Sequence, residues 1–321
     1  MKTKPSLKDY IQGVLDGDVN IVSRAITLIE SKRPEDKEFS SSVLNKLMPH
    51  TGKSIRLGIT GAPGAGKSTF IDKFGQLALT KYKKLAVLAV DPSSSRSHGS
   101  IMGDKTRMNE LLAQESVYVR PSPAGVTLGG VAAKTREAML VCEAAGYDFI
   151  IIETVGVGQS EIAVKNMVDY ILLLLSPTSG DELQGIKRGI IEIADGISIT
   201  KADGASKKSA EIALKEYSSA LRILGDLGSG VPVTACSSLE NTGLEEILVN
   251  VINKVNALKA ENIFTKIRNE QLISWLHDEI KHQLNYSFYQ SPINKKRVKH
   301  LEKQIRNLEI SPKSAAVQLF E

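Results

Sequence analysis

Cysteine, histidine and long apolar runs are scarce in this sequence, and each scarcity removes a class of protein. Two cysteines, Cys142 and Cys236, lie in apolar segments without metal-ligand spacing, and only five histidines are present in 321 residues. Disulfide and zinc frameworks therefore have little support, and the two thiols read as reduced core residues. The longest apolar run, YILLLL, is far too short to cross a bilayer, and the first residues, MKTKPSLKDY, contain no apolar core or small-residue cleavage site. The expectation is a cytoplasmic protein with no membrane partner. Internal repeats and low-complexity linkers are also missing.

What is present is ordinary globular usage. Hydrophobic residues make up 42% and charged residues 24%, which argues against wholesale disorder and against a fibrous fold. A chain of this length can bury a substantial core, as one large domain or as an average domain with extensions. The net charge is +5, and much of the excess lies towards the carboxyl end, in Lys295 to Arg306. Aromatic stacking residues are absent from that segment, so it reads as an amphipathic helix with a solvated basic face, and no nucleic-acid partner is expected.

Three textures follow one another. Residues 1–50 carry short helical patterns, such as DVNIVSRAITLIES, where Asp18 can cap and Ile21, Ala25, Ile26 and Ile29 form an apolar stripe. Residues 51–258 alternate helix-like stretches with apolar runs: IRLGIT, LAVLAV, YDFIIIE, YILLLLS, GISIT and VPVTAC. Strands apolar on both faces, alternating with helices, predict an α/β fold with a mostly parallel sheet covered on both sides. Residues 259–321 return to helical pattern, with Leu272, Trp275 and Leu276 on one side of NEQLISWLHDEIKHQL.

The first apolar run leads into GITGAPGAGKSTF, where Gly61, Gly66, Lys67 and Ser68 have the spacing G-x4-G-K-S. A strand before it and a helix opening near Lys67 are the context of a phosphate-binding P-loop. Gly61, Ala62, Pro63, Gly64, Ala65 and Gly66 would wrap their N–H groups round phosphates, and Lys67 would reach the outer ones. The hydroxyl of Ser68, followed by Thr69, would ligate magnesium.

Strands of a parallel sheet finish at the same edge, so carboxylates at strand ends should gather beside that loop. Asp91 follows LAVLAV, and Asp104 returns from the Ser- and Gly-rich loop after it. Glu153 ends YDFIIIE in the pattern E-x-x-G, where the usual GTPase pattern is D-x-x-G, and Gly156 is placed to offer its N–H to a terminal phosphate. A carboxylate at such a strand end is costly unless it meets a cation or donors. Asp91, Asp104 and Glu153 are therefore the candidate magnesium and catalytic carboxylates, with Lys67 as the catalytic cation. Val157 follows the glycine where Ras-like enzymes carry a water-positioning Gln, and Gln159 stands two residues later.

A later strand ends in ISITKADG, where a GTPase usually reads N-K-x-D and Thr200 occupies the Asn position. The Asp203 carboxylate can accept from guanine N1–H and the 2-amino group together, and the Lys201 stem can lie over the base. Thr200 keeps a hydroxyl where the Asn amide would brace the P-loop. The next strand ends in TACSSLENTGL, with Ser237 and Ser238 in the place of the pair that offers a backbone N–H to guanine O6.

With the P-loop, LAVDPSS, GDKTRM, CEAAGYDFIIIETVGVGQSE and GDELQGIKRGI in that order, the chain closely resembles the MeaB/ArgK-type GTPases. The best-understood members are chaperones of adenosylcobalamin-dependent methylmalonyl-CoA mutase. The resemblance spans about Leu57 to Leu244 strongly and the helical ends more loosely. It implies a P-loop GTPase core that binds GTP or GDP with Mg2+, helical extensions at both ends, and a homodimer assembled partly through the carboxyl-terminal arm. It also implies a mobile segment matching Ser179 to Gly189 that relays nucleotide state to the mutase, with Asp181 and Lys187 as relay candidates. Thr200 departs from the family's usual Asn.

A second function class is a phosphotransferase acting on a basic amino-acid transport component, the activity implied by the older ArgK label. A kinase needs an acceptor pocket and a base aimed at a hydroxyl, and the sequence shows a motif for neither. A nickel-delivering relative is disfavoured because no His or Cys cluster could hold metal in transit.

Overall fold

The computed structural model describes residues 5–31, 33–90, 108–121, 128–154, 160–177, 192–223 and 230–320. Three helices come first: α1 (Leu7–Leu15), α2 (Val19–Glu30) and α3 (Pro34–Leu47). Ser6 and Asp9 close a reciprocal capping box on α1, and the Asp18 carboxylate accepts the N–H of Asn20 at 2.8 Å to open α2. The alternation then runs β1 (Ile55–Gly61), α4 (Lys67–Ala78), β2 (Leu85–Val90), α5 (Asn109–Leu112), β3 (Val117–Arg120), α6 (Leu128–Ala144), β4 (Phe149–Thr154) and α7 (Ser160–Lys165). It continues with β5 (Tyr170–Leu175), β6 (Gly196–Ile199), α8 (Lys207–Ile223), β7 (Val233–Ala235) and α9 (Leu244–Ala260).

The strands form one seven-stranded sheet in the order β3-β2-β4-β1-β5-β6-β7, and every neighbouring pair is parallel. Six of these strands coincide with the apolar runs of the sequence. The seventh, β3, is a short edge strand that the sequence reading did not anticipate. Alternate residues feed the two faces, as strand geometry requires. Ala86, Leu88, Ile150, Ile152 and Ile171 pack under α1, α2, α3, α6 and α7. Leu57, Ile59, Leu85, Val87, Ile151, Leu172 and Leu174 pack under α4 and α9. A third cluster joins β5, β6 and β7 to α8 through Leu173, Ile197, Ile199, Ala210 and Tyr217. Both cysteines are free and buried, and burial pushes the Cys236 thiol up to about 11, so neither is poised as a nucleophile.

At the amino-terminal edge of the sheet four charged side chains are buried together. Arg56 of β1 forks onto Glu143 of α6 at 2.9 and 2.7 Å. Arg268 forks onto Asp169 at 2.6 and 2.7 Å and also reaches the Ser54 carbonyl at 2.9 Å. The N–H of Arg56 donates to Asp169 at 2.8 Å, and that of Gly52 to Glu143 at 2.9 Å. Each carboxylate thus has several donors, which is what a buried charge requires.

The last helices are α10 (Phe264–Gln290), α11 (Pro292–Arg306) and α12 (Pro312–Gln318). The chain divides into two units, Met1–Asn269 and Glu270–Glu321. Within the second, Leu301 and Ala315 are buried, Phe288 stacks on Phe320 with centroids 5.2 Å apart, and Arg297 donates to the Gln318 carbonyl. No helix among the described residues is long and apolar enough to cross a membrane.

Candidate functional site

At the carboxyl-terminal edge of the sheet, β1 leaves through Gly61 with φ 152°. A Cβ at that position would lie 2.3 Å from the Leu174 carbonyl oxygen on β5, so only glycine lets the chain turn there. Gly64 and Gly66 follow in the left-handed region, at φ 84° and 87°. Gly66 is the N-cap of α4 and brings no side-chain cap, so the amides and the positive end of this helix collect at the loop. That is the arrangement in which phosphate oxygens find donors. The Lys67 ammonium folds back over the loop, donating to the carbonyls of Gly61 at 2.7 Å and Ala62 at 3.1 Å. Ser68 is buried in the first turn of α4, next to half-buried Thr69; Ala62 is half-buried, Pro63 exposed and Ala65 buried.

Glu153 stands beside this loop. It is the penultimate residue of β4, in register with Ile59 of β1 on one side and Ala89 of β2 on the other, and it is half-buried. The hard oxygens of Ser68 and Glu153 suit Mg2+ in chemistry. Asp91, Asp104, Gly156, Asp181 and Lys187 lie outside the described residues, as does the segment Ser179 to Gly189.

The opposite rim of the loop is built by the ends of β6 and β7. The buried Thr200 hydroxyl lies 2.7 Å from the Ala65 carbonyl oxygen and 3.0 Å from that of Leu175. Lys201 adopts a left-handed conformation, φ 54°, and its ammonium donates to the Gly64 carbonyl at 2.8 Å. Two successive residues after β6 therefore grip two adjacent carbonyls of the phosphate loop. Sequence reasoning anticipated the first grip but not the second, because an ammonium on a flexible stem has no spacing signature.

Asp203 is fixed in the same corner by the Ser237 hydroxyl, which donates to its carboxylate. That hydroxyl in turn accepts the N–H of Glu240 at 3.0 Å. The Ala202 N–H donates to the Cys236 carbonyl at 3.0 Å, tying the turn after β6 to the end of β7. The Ser237 N–H is engaged by the Thr242 carbonyl at 3.0 Å, so of the serine pair it is Ser238 whose amide takes no partner among the described residues. Thr60 and Thr154, which the sequence reading passed over, form a hydroxyl pair 2.9 Å apart directly beneath the loop. Their only signal was a threonine closing each strand run, in IRLGIT and again in FIIIET.

Known proteins match along the whole architecture. A putative GTPase of Caulobacter vibrioides is 46% identical over 95% of this chain and 94% of its own. The methylmalonic aciduria type A homolog, mitochondrial, of Mus musculus is 39% identical over 98% of this chain and 83% of its own. A crystal structure of a LAO/AO transport system kinase superposes with a TM-score of 0.80 at 35% identity, covering 99% of this chain and 98% of that one. Residues 22–292 match the family described as methylmalonyl Co-A mutase-associated GTPase MeaB, and the chain belongs to that family of GTP-hydrolysing P-loop enzymes.

Proposed function

We propose that this GTPase is a chaperone that gates cofactor loading and protection of an adenosylcobalamin-dependent acyl-CoA mutase of the methylmalonyl-CoA mutase type. The observation that carries the reading is the family match over residues 22–292, joined to a complete phosphate loop gripped from the β6 end. In this reading residues 51–258 are the GTPase core, and 1–50 and 259–321 are helical extensions. The glycine loop and Lys67 would hold the phosphates, and Ser68, Glu153, Asp91 and Asp104 would hold Mg2+, which would neutralise charge developing on the phosphates. Gly156 would offer its N–H to the terminal phosphate. Asp203 reads guanine, Lys201 covers the base, the Ser238 amide meets O6, and Thr200 braces the loop. Asp181 and Lys187 relay nucleotide state to the mutase, in the cytoplasm.

A homodimer fits the surface of α10. Ile273, Leu276, Ile280 and Leu284 recur at three- and four-residue spacing and are 44–63% exposed. A stripe of that kind is what a second helix covers.

Affinity capture with the tagged protein in GTP, GDP or no nucleotide tests the function. A cobalamin-dependent mutase that co-purifies in a nucleotide-dependent amount supports the chaperone. Phosphate transferred from GTP to a transport protein, with no mutase retained, would favour the phosphotransferase alternative.

A further inference from the structure

We infer that Thr60 and Thr154 are a positioning pair for GTP hydrolysis, holding the Glu153 end of β4 against the phosphate loop. The inference rests on the reading of this sheet edge as the GTP site. The register between β1 and β4 runs from Ile55 opposite Phe149 to Ile59 opposite Glu153, and there it stops. On their outer sides the same strands stay paired longer, β1 with β5 as far as Gly61 and β4 with β2 as far as Thr154. The two central strands therefore part just where the catalytic groups begin. At the next position the Thr154 hydroxyl donates to the Thr60 hydroxyl oxygen at 2.9 Å, so a side-chain bond takes over where the ladder ends.

Packing gives no reason for this choice. Thr60 and Thr154 are 2% and 1% exposed, and valine has the same shape, favours strands equally and leaves no buried hydroxyl to satisfy. The two hydroxyls are bonded to each other across the gap where the ladder ends. Thr60 is followed by Gly61, which opens the loop, and Thr154 follows Glu153. The bond thus sets the spacing between a phosphate cradle and a carboxylate beside it, and geometry of that kind governs the chemical step more than it governs nucleotide affinity.

The test compares full-length wild type with Thr60→Val, Thr154→Val, the double valine variant, Thr60→Ser and Thr154→Ser. Binding of a fluorescent GTP analogue, single-turnover hydrolysis and melting temperature are read on each. Single-turnover hydrolysis should fall roughly tenfold in each valine variant, while nucleotide affinity moves by less than about threefold. The double variant should lose less than the product of the two single losses, because both remove the same bond. The serine variants, which keep the hydroxyls and lose only methyl groups, should hydrolyse at the wild-type rate even if the valine variants fold poorly. Unchanged hydrolysis in the valine variants, losses that multiply, affinity falling in parallel with rate, or serine variants as slow as valine ones would overturn the inference. A wild type that neither binds nor hydrolyses GTP would instead overturn the reading of the site.

Discussion

The Thr200 hydroxyl lies 2.7 Å from the Ala65 carbonyl oxygen, joining the end of β6 to the phosphate loop across 135 residues of sequence. Its single proton serves two carbonyls, because the Leu175 oxygen is 3.0 Å away. An asparagine amide would supply two protons for the same pair. Thr200→Asn should therefore tighten GTP binding modestly without altering base choice. Thr200→Val, which leaves the Ala65 carbonyl without this donor, should weaken it roughly tenfold, or about 1.4 kcal/mol. Isothermal titration with GTP on the three proteins checks both directions.

Lys67→Ala should lower hydrolysis by orders of magnitude while the glycine cradle stays intact, since it removes the charge proposed to stabilise the outer phosphates. Glu153→Gln should act in the same direction more mildly, by weakening the proposed magnesium environment. Initial rates measured across a magnesium series separate the two. Normal hydrolysis by Lys67→Ala would place the phosphates elsewhere, and an unchanged magnesium dependence would remove Glu153 from the site.

The sheet and the phosphate loop were legible because their signals are local. β5 is an unbroken apolar run and β4 opens with four apolar residues, and the glycines at 61, 64 and 66 stand where only their backbone conformations fit. β3 was not legible: Val117–Arg120 is four residues long, half-exposed at the sheet edge and closed by an arginine. That arginine pairs with Glu30 of α2, a partner 90 residues away that no local pattern announces. The same holds for Arg56, Glu143, Asp169 and Arg268, which three dimensions alone bring together. Thr200 was legible as a departure from N-K-x-D, since the pattern itself says what the missing amide would have done.

The buried charge network should make stability depend on acid. Burial by itself raises the Glu143 carboxyl, but the hydrogen bonds from Arg56 and the charges of Arg56 and Arg268 outweigh it and hold the folded value below the ordinary 4.5. Stability from this group is then fully present above its unfolded value and is lost as pH falls through the folded one. Arg268→Ala, which strips Asp169 of its forked partner, should cost about 3–5 kcal/mol at neutral pH. Urea unfolding at pH 7 and below pH 4.5 on wild type, Glu143→Gln and Arg268→Ala checks both statements. The Glu143→Gln protein should lose less stability on acidification than wild type does.

Intrinsic turnover should be slow. Val157 stands where a water-orienting glutamine would follow the glycine, so the proposed phosphate loop and Mg2+ should bind nucleotide well but position water poorly. A partner should raise the rate. Steady-state hydrolysis with and without a purified cobalamin-dependent mutase measures this, and a fast basal rate indifferent to the mutase would count against the chaperone.

We propose that this sheet edge reads guanine through Asp203, whose carboxylate Ser237 holds in place. One carboxylate accepts from two adjacent donors that adenine and xanthine do not present together. In Asp203→Asn the side chain offers one acceptor and one donor, which matches the N–H and carbonyl of xanthine. Mismatch at a site built for hydrogen bonds leaves polar groups unpaired, so the change of preference should be large. Competition binding of GTP, ATP and XTP to wild type and Asp203→Asn is the most direct measurement. Strong preference for GTP is expected in the wild type and for XTP in the variant. Equal affinity of the wild type for ATP and GTP, or an unaltered preference in Asp203→Asn, would contradict it.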